Sequence, residues 1–125
     1  MFIYTNPNPY NKFTGDCVIR AIAVITNSTW EKAYTDLCAE GLLQADLPNE
    51  SSVWGSYLRK LGFKREIISN SCPDCYTIED FVNEFPYGEY VVCTGTHTVA
   101  VIDGLIYDTA DSSQDTPIYY YYKEK

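Results

Sequence analysis

The sequence predicts an α+β fold in which N-terminal helices pack on a C-terminal antiparallel β-sheet. Three observations carry that expectation. Apolar residues recur at helical spacing as far as Leu61, then the period shortens toward that of strands. Two apolar runs flank Asp103-Gly104, a pair suited to the type I′ turn of a tight hairpin. Tyr119–Tyr122 forms a run of high strand propensity. Helices first and strands later make an α+β arrangement rather than an alternating one.

The elements follow in order. Asn6-Pro7-Asn8-Pro9 is turn material. Cys17 to Ile25 is almost wholly apolar, too long for most strands and alanine-containing, so it predicts a buried helix with Asp16 as its N-cap. Ser28 and Glu31 form a capping box for a second helix, with Trp30, Ala33, Tyr34, Leu37 and Cys38 on one face and an end near Gly41. A third helix covers Glu50 to Leu61, turning Val53, Trp54, Tyr57, Leu58 and Leu61 inward, with Gly62 as its stop. Phe63 to Ser69 reads as a strand, and a short helix opens at Thr77 and ends before Pro86. Strands are then expected over Glu89–Thr94, Thr96–Ile102, Leu105–Asp108 and Ile118–Lys123.

The 125 residues fit one domain, and 46% hydrophobic content with 21% charged residues describes a chain able to bury a core. The formal charge of −8 argues against nonspecific binding to nucleic acid or to anionic membranes, whose phosphates recruit Lys and Arg. No stretch approaches the roughly 18 apolar residues of a membrane span, and the first residues lack the basic and apolar regions of a secretory signal. With five cysteines, an odd number, a cytoplasmic protein with reduced thiols is the simplest expectation. Cys72-Pro-Asp-Cys75 has the form of a redox pair or half a zinc site. Cys38 and Cys93 supply no second knuckle, so no cofactor or metal is expected.

One histidine cannot build a polyhistidine metal site, but it can serve as a general base. Cys17 would open its helix, where unpaired N–H groups and the positive end of the macrodipole stabilise a thiolate. His97 is the only imidazole. In strict alternation it would share a sheet face with Val99 and Val101, directed toward a packed helix. A catalytic imidazole needs an orienting group on its other nitrogen. Pairing Ile102 with Leu105 and counting outward places His97 opposite about position 110 and Asp108 opposite about position 99. Asp108 is then a diagonal neighbour of His97; Asp111 competes for the role, and Asp103 stays in the turn.

Gly15-Asp16-Cys17 at the head of an apolar helix, a His-x-Val-x-Val strand, and a following strand bearing Asp108 together resemble the papain-like cysteine peptidase fold, in particular its small bacterial and bacteriophage members. The resemblance spans roughly residues 6–38 and 88–111. It implies Cys17 as nucleophile, His97 as proton shuttle and Asp108 as the group that fixes the imidazole. In that family a Gln or Asn several residues before the nucleophile helps form the oxyanion hole. Asn11 stands six before Cys17 and takes that role by resemblance; Asn replaces the more usual Gln, and Asn8 and Asn6 are alternatives. A small intracellular peptidase, isopeptidase or amidase acting on a protein or peptide is implied, in the host cytoplasm if the source is a phage. Acyl transfer to an amine uses the same groups. The rival expectation is an acidic binding or inhibitory protein that keeps the fold without turnover, docking on a basic partner. Substrate identity and oligomeric state are not legible in the sequence.

Overall fold

A computed structural model describes residues 1–69 and 76–123, so Cys72 and Cys75 lie outside the described residues. Within these, the chain runs β1 (Phe2–Tyr4), α1 (Cys17–Ile25), α2 (Trp30–Gln44), α3 (Ser51–Lys60), β2 (Phe63–Ile67), α4 (Ile78–Glu84), β3 (Glu89–Cys93), β4 (Thr98–Ile102), β5 (Leu105–Asp108) and β6 (Tyr119–Lys123). The strands form one sheet in the order β1-β5-β4-β3-β6-β2. The architecture is α+β, with four helices and a six-stranded mixed sheet among the described residues.

The sheet is not purely antiparallel, as the sequence had suggested. β1 joins one edge parallel to β5, with Phe2 opposite Ile106 and Tyr4 opposite Asp108. Parallel neighbours need a long crossover, and here that crossover carries every helix and most of the remaining strands. A three-residue strand is too short to show alternation, which is why Phe2–Tyr4 gave no signal of its own. The β4–β5 hairpin follows the expected register, with Ala100 opposite Tyr107 and Ile102 opposite Leu105. Asp103 (φ 49°) and Gly104 (φ 80°) both adopt the left-handed backbone that a type I′ turn demands.

Two helix ends differ from expectation. The cap of α2 is Thr29, whose hydroxyl accepts from the Lys32 N–H at 3.1 Å; Ser28 sits one residue too early and pairs instead with the Thr26 hydroxyl. α2 also runs past Gly41 to Gln44, and the left-handed residue that ends it is Ala45. Gly41 serves close approach: a Cβ there would lie 2.7 Å from the Asp46 carbonyl oxygen of the returning chain. Gly62 (φ 97°) does stop α3, and Thr77 with Asp80 forms a reciprocal capping box on α4. Tyr34 of α2 and Leu61, the residue that caps the end of α3, both expected inward, are exposed.

Both sheet faces are covered. Ile22, Leu37, Trp54 and Leu58 from α1–α3 pack with Val91, Cys93, Ala100 and Tyr121 on one face. On the other, Ile78, Phe81 and Val82 of α4 pack with Val92, Val99, Val101 and Ile106. Burial on both faces explains why β3 and β4 read as continuous apolar runs. Fully burying side chains of this size stabilises by about 1.5–3 kcal/mol each before entropy is counted, which fixes α1 firmly across the middle of the sheet.

Candidate active site

Cys17 is the first residue of α1 and half-buried. Asp16 occupies the N-cap position, but its carboxylate makes no capping bond to the helix. It turns instead to three side chains: the guanidinium of Arg20, the Trp30 indole N–H at 2.9 Å and the Asn8 amide at 3.3 Å. The first-turn N–H groups beside Cys17 are therefore left uncapped by Asp16, where they act on the thiol and on anything bonded to it.

His97 arrives from the sheet by a route the alternation did not predict. Val99 and Val101 face α4, whereas Ala100 faces α1. His97 does not share the valine face because β4 begins only at Thr98. His97 belongs to the preceding turn, where its N–H donates to Thr94 Oγ1 (2.9 Å) and its carbonyl accepts from the Thr94 N–H (2.8 Å). Released from the pleat, the ring hydrogen-bonds the Cys17 thiol, and the Thr98 backbone adds a second hydrogen bond to that sulfur.

Asp108, the last residue of β5, is buried and surrounded by donors. Its Oδ2 lies 2.6 Å from His97 Nε2 and accepts from the Ser112 hydroxyl at 3.1 Å. Its Oδ1 accepts from the Thr109 N–H at 2.7 Å and faces Arg20 Nη2 at 3.6 Å. With Nε2 held by Asp108, Nδ1 is left for Cys17. Asp111, the competing candidate, is exposed and accepts the Ser113 N–H within its own turn.

The electrostatics follow from this line of contacts. Burial by itself would raise the Cys17 thiol, but the hydrogen bonds from His97 and the Thr98 backbone, with the nearby charges of His97 and Arg20, carry it below its ordinary value. The Asp108 hydrogen bond, helped by Cys17, lifts His97 from its ordinary 6.5 to about 10. Burial would likewise raise the Asp108 carboxyl, yet its bonds to His97, Thr109 and Ser112 bring it below the usual carboxylate value. Both directions favour a thiolate–imidazolium pair over two neutral groups. Cys93, by contrast, is pushed up to about 12 by burial and stays a thiol.

The asparagines divide differently. Asn8 is the buried one: its Oδ1 accepts from the Tyr10 and Lys12 N–H groups while its amide reaches Asp16. It thereby shapes the loop that leads into Cys17. Asn11 is exposed at the loop's left-handed corner (φ 53°), with its N–H donated to the Asn8 carbonyl. Asn6 caps the same loop, its Oδ1 accepting from the Asn8 N–H. Nothing in this geometry draws the Asn11 side chain to the sulfur.

The residues that sequence reasoning passed over are Arg20, Trp30 and Ser112. Arg20 had a signal: it is the one charge inside the apolar run Cys17–Ile25, and a charge in a buried helix requires a partner. Among the described residues, no group of three His, Cys, Asp or Glu side chains is placed to hold a metal ion. No helix among them is long and apolar enough to cross a membrane. No family model matches the chain, and neither does any curated protein or solved structure.

Proposed function

We propose that this chain is a papain-like cysteine hydrolase acting on an amide, peptide or isopeptide bond of a protein or peptide. The observation that carries the reading is the unbroken contact line from Cys17 at a helix start, through His97, to the buried Asp108. In the proposed reaction the Cys17 thiolate attacks the carbonyl carbon and forms a tetrahedral oxyanion. The Cys17 backbone N–H, at the uncapped start of α1, stabilises that charge. The His97 imidazolium then gives its proton to the departing amine as the C–N bond breaks, leaving an acyl-thioester. Water, deprotonated by the now neutral His97, releases the acid and restores the thiolate. An amine in place of water gives acyl transfer. Asp108 holds the ring and balances its charge throughout.

The test is thiol chemistry that needs no substrate. Iodoacetamide at pH 6 should label Cys17 at least tenfold faster than the same cysteine in the urea-unfolded chain, and mass spectrometry should place the label there. Labelling no faster than an ordinary thiol sinks the hydrolase reading.

A second reading keeps the fold and drops turnover. It is favoured by Tyr10 and Phe13, 82% and 75% exposed on the loop before Cys17, which is how a contact surface presents aromatics. A stable complex captured equally by the wild type and by Cys17→Ala favours this reading; capture only by Cys17→Ala is what a trapped substrate gives.

A further inference from the structure

The sequence holds three arginines, Arg20, Arg59 and Arg65. Arg20 is buried between the carboxylates of Asp16 and Asp108. The other two line a single cavity of about 240 Å³, together with Ser51, Ser52, Tyr119 and Tyr121. Their guanidinium carbons lie over tyrosine rings, Arg65 at 4.3 Å from the Tyr119 centroid and Arg59 at 5.8 Å from that of Tyr121. Among the described residues, neither forms an ion pair with a carboxylate. In a chain of net charge −8, where carboxylates outnumber bases 17 to 9, two guanidiniums left to one cavity are a deficit of counter-charge at that spot. Guanidinium forks beside the serines Ser51 and Ser52 suit the oxygens of a carboxylate or a phosphate.

The cavity also lies at the end of the sheet that holds Cys17. Tyr119, which forms part of its wall, hydrogen-bonds the Cys93 thiol and pairs with Cys93 across β3 and β6. Cys93 in turn pairs with Thr98, whose backbone hydrogen-bonds the Cys17 sulfur. Tyr119 and Cys93 both belong to the sheet face on which α1 packs.

We infer that the Arg59–Arg65 cavity is the subsite that takes an anionic side chain, a carboxylate or a phosphate, of the polypeptide on which Cys17 acts. The assignment of that polypeptide as substrate rests on the hydrolase reading; the anion site itself does not. The chain would thus prefer acidic or phosphorylated segments, against the general repulsion of its net charge of −8.

Trp54 stacks on Tyr119 with ring centroids 6.4 Å apart, so its fluorescence reports on the cavity wall. The wild-type chain is titrated at constant ionic strength with two probes, acetyl-aspartate amide and O-phosphoserine. Saturable quenching by at least one probe is expected, weakened tenfold or more in Arg59→Gln/Arg65→Gln and absent in Trp54→Phe; the tighter probe names the anion. No saturation by either probe, or saturation unchanged in the double variant, overturns the site. Placement beside Cys17 is read from alkylation rates with anionic iodoacetate and neutral iodoacetamide. The double variant should lower the iodoacetate rate about threefold or more relative to iodoacetamide, while the iodoacetamide rate itself holds. An unchanged ratio with fast iodoacetamide labelling overturns the subsite and leaves the hydrolase reading standing. Slow iodoacetamide labelling of the wild type strikes the hydrolase reading instead.

Discussion

Arg20 Nη2 faces Asp108 Oδ1 at 3.6 Å, on the side of the carboxylate opposite His97. The guanidinium also meets Asp16, the residue immediately before Cys17. One buried side chain therefore ties the start of α1 to the end of β5, the two places that the proposed reaction needs held together.

Replacing Arg20 with Met leaves Asp16 and Asp108 buried with one fewer counter-charge. Breaking a buried pair in this way costs about 3–5 kcal/mol, so the urea midpoint should fall sharply. In the fraction that stays folded, the alkylation profile of Cys17 should move to higher pH, since Arg20 is one of the charges that lowers that thiol. Arg20→Lys should recover part of the profile without the two-armed geometry. A profile identical to wild type in both variants would show Arg20 to be structural only.

Asp108→Asn keeps the shape and removes the charge. A neutral amide cannot hold an imidazolium, so His97 should drop toward its ordinary range and peptide or amide turnover should fall by about 10²–10⁴-fold. The pH dependence of iodoacetamide labelling is the direct readout. Fast labelling that persists unaltered at neutral pH counts against Asp108 as the group that orients His97.

The protonation of the pair predicts an unusual stability profile. His97 is raised from 6.5 to about 10, so its contribution is complete below pH 6.5 and disappears as pH rises through 10. Cys17 is lowered from 9.0, so its contribution is complete above pH 9 and disappears as pH falls through the folded value. Where the folded thiol is ionised and the unfolded one is not, folded and unfolded chains each hold one proton in this pair above pH 6.5, and the two slopes cancel. Cys17→Ala removes one of them. Its Tm should fall further below that of wild type as pH is raised from 6.5 to 9, measured by calorimetry; parallel Tm curves would contradict the thiolate–imidazolium pair.

Gly41→Ala tests a packing claim outside the site. The new methyl would lie 2.7 Å from the Asp46 carbonyl oxygen and 3.4 Å from the Pro48 nitrogen, both backbone atoms. Forcing them aside costs about 1–3 kcal/mol, which exceeds the gain of up to about 1 kcal/mol from helix propensity. A lower urea midpoint with unchanged slope is expected, and an unchanged or higher midpoint would mean the returning loop yields freely.

Much of the site was legible because it depends on local signals that reinforce one another. Asp103-Gly104 fixes a two-residue turn, and that turn sets the register that brings Asp108 to His97. The apolar run after Cys17 is longer than most strands and contains alanines, which favours a helix. What failed did so where local rules met tertiary geometry. Alternation assigned His97 to the valine face, but it cannot reach past the first residue of a strand, and His97 stands one residue before β4. Asp16 looked like a cap, yet Arg20, Trp30 and Asn8 converge on it from three separate segments. Asn11 was placed by its distance along the chain from Cys17, which carries no information about the left-handed corner that it occupies. Phe2–Tyr4 is a strand only because the edge of β5 is waiting for it.

That edge has a further consequence. β1 hydrogen-bonds alongside β5 and the Thr5 N–H donates to the Asp108 carbonyl at 2.8 Å, while the opposite border of the sheet is β2, which carries Arg65. The two borders thus answer for different events: one steadies Asp108, the proposed partner of His97, and the other presents the cation proposed to select a ligand. Trimming the first few residues should slow the alkylation of Cys17 and the proposed turnover while leaving ligand choice intact, and rebuilding β2 should do the reverse. A laboratory seeking to redirect this protein would therefore leave its beginning alone and diversify the far border.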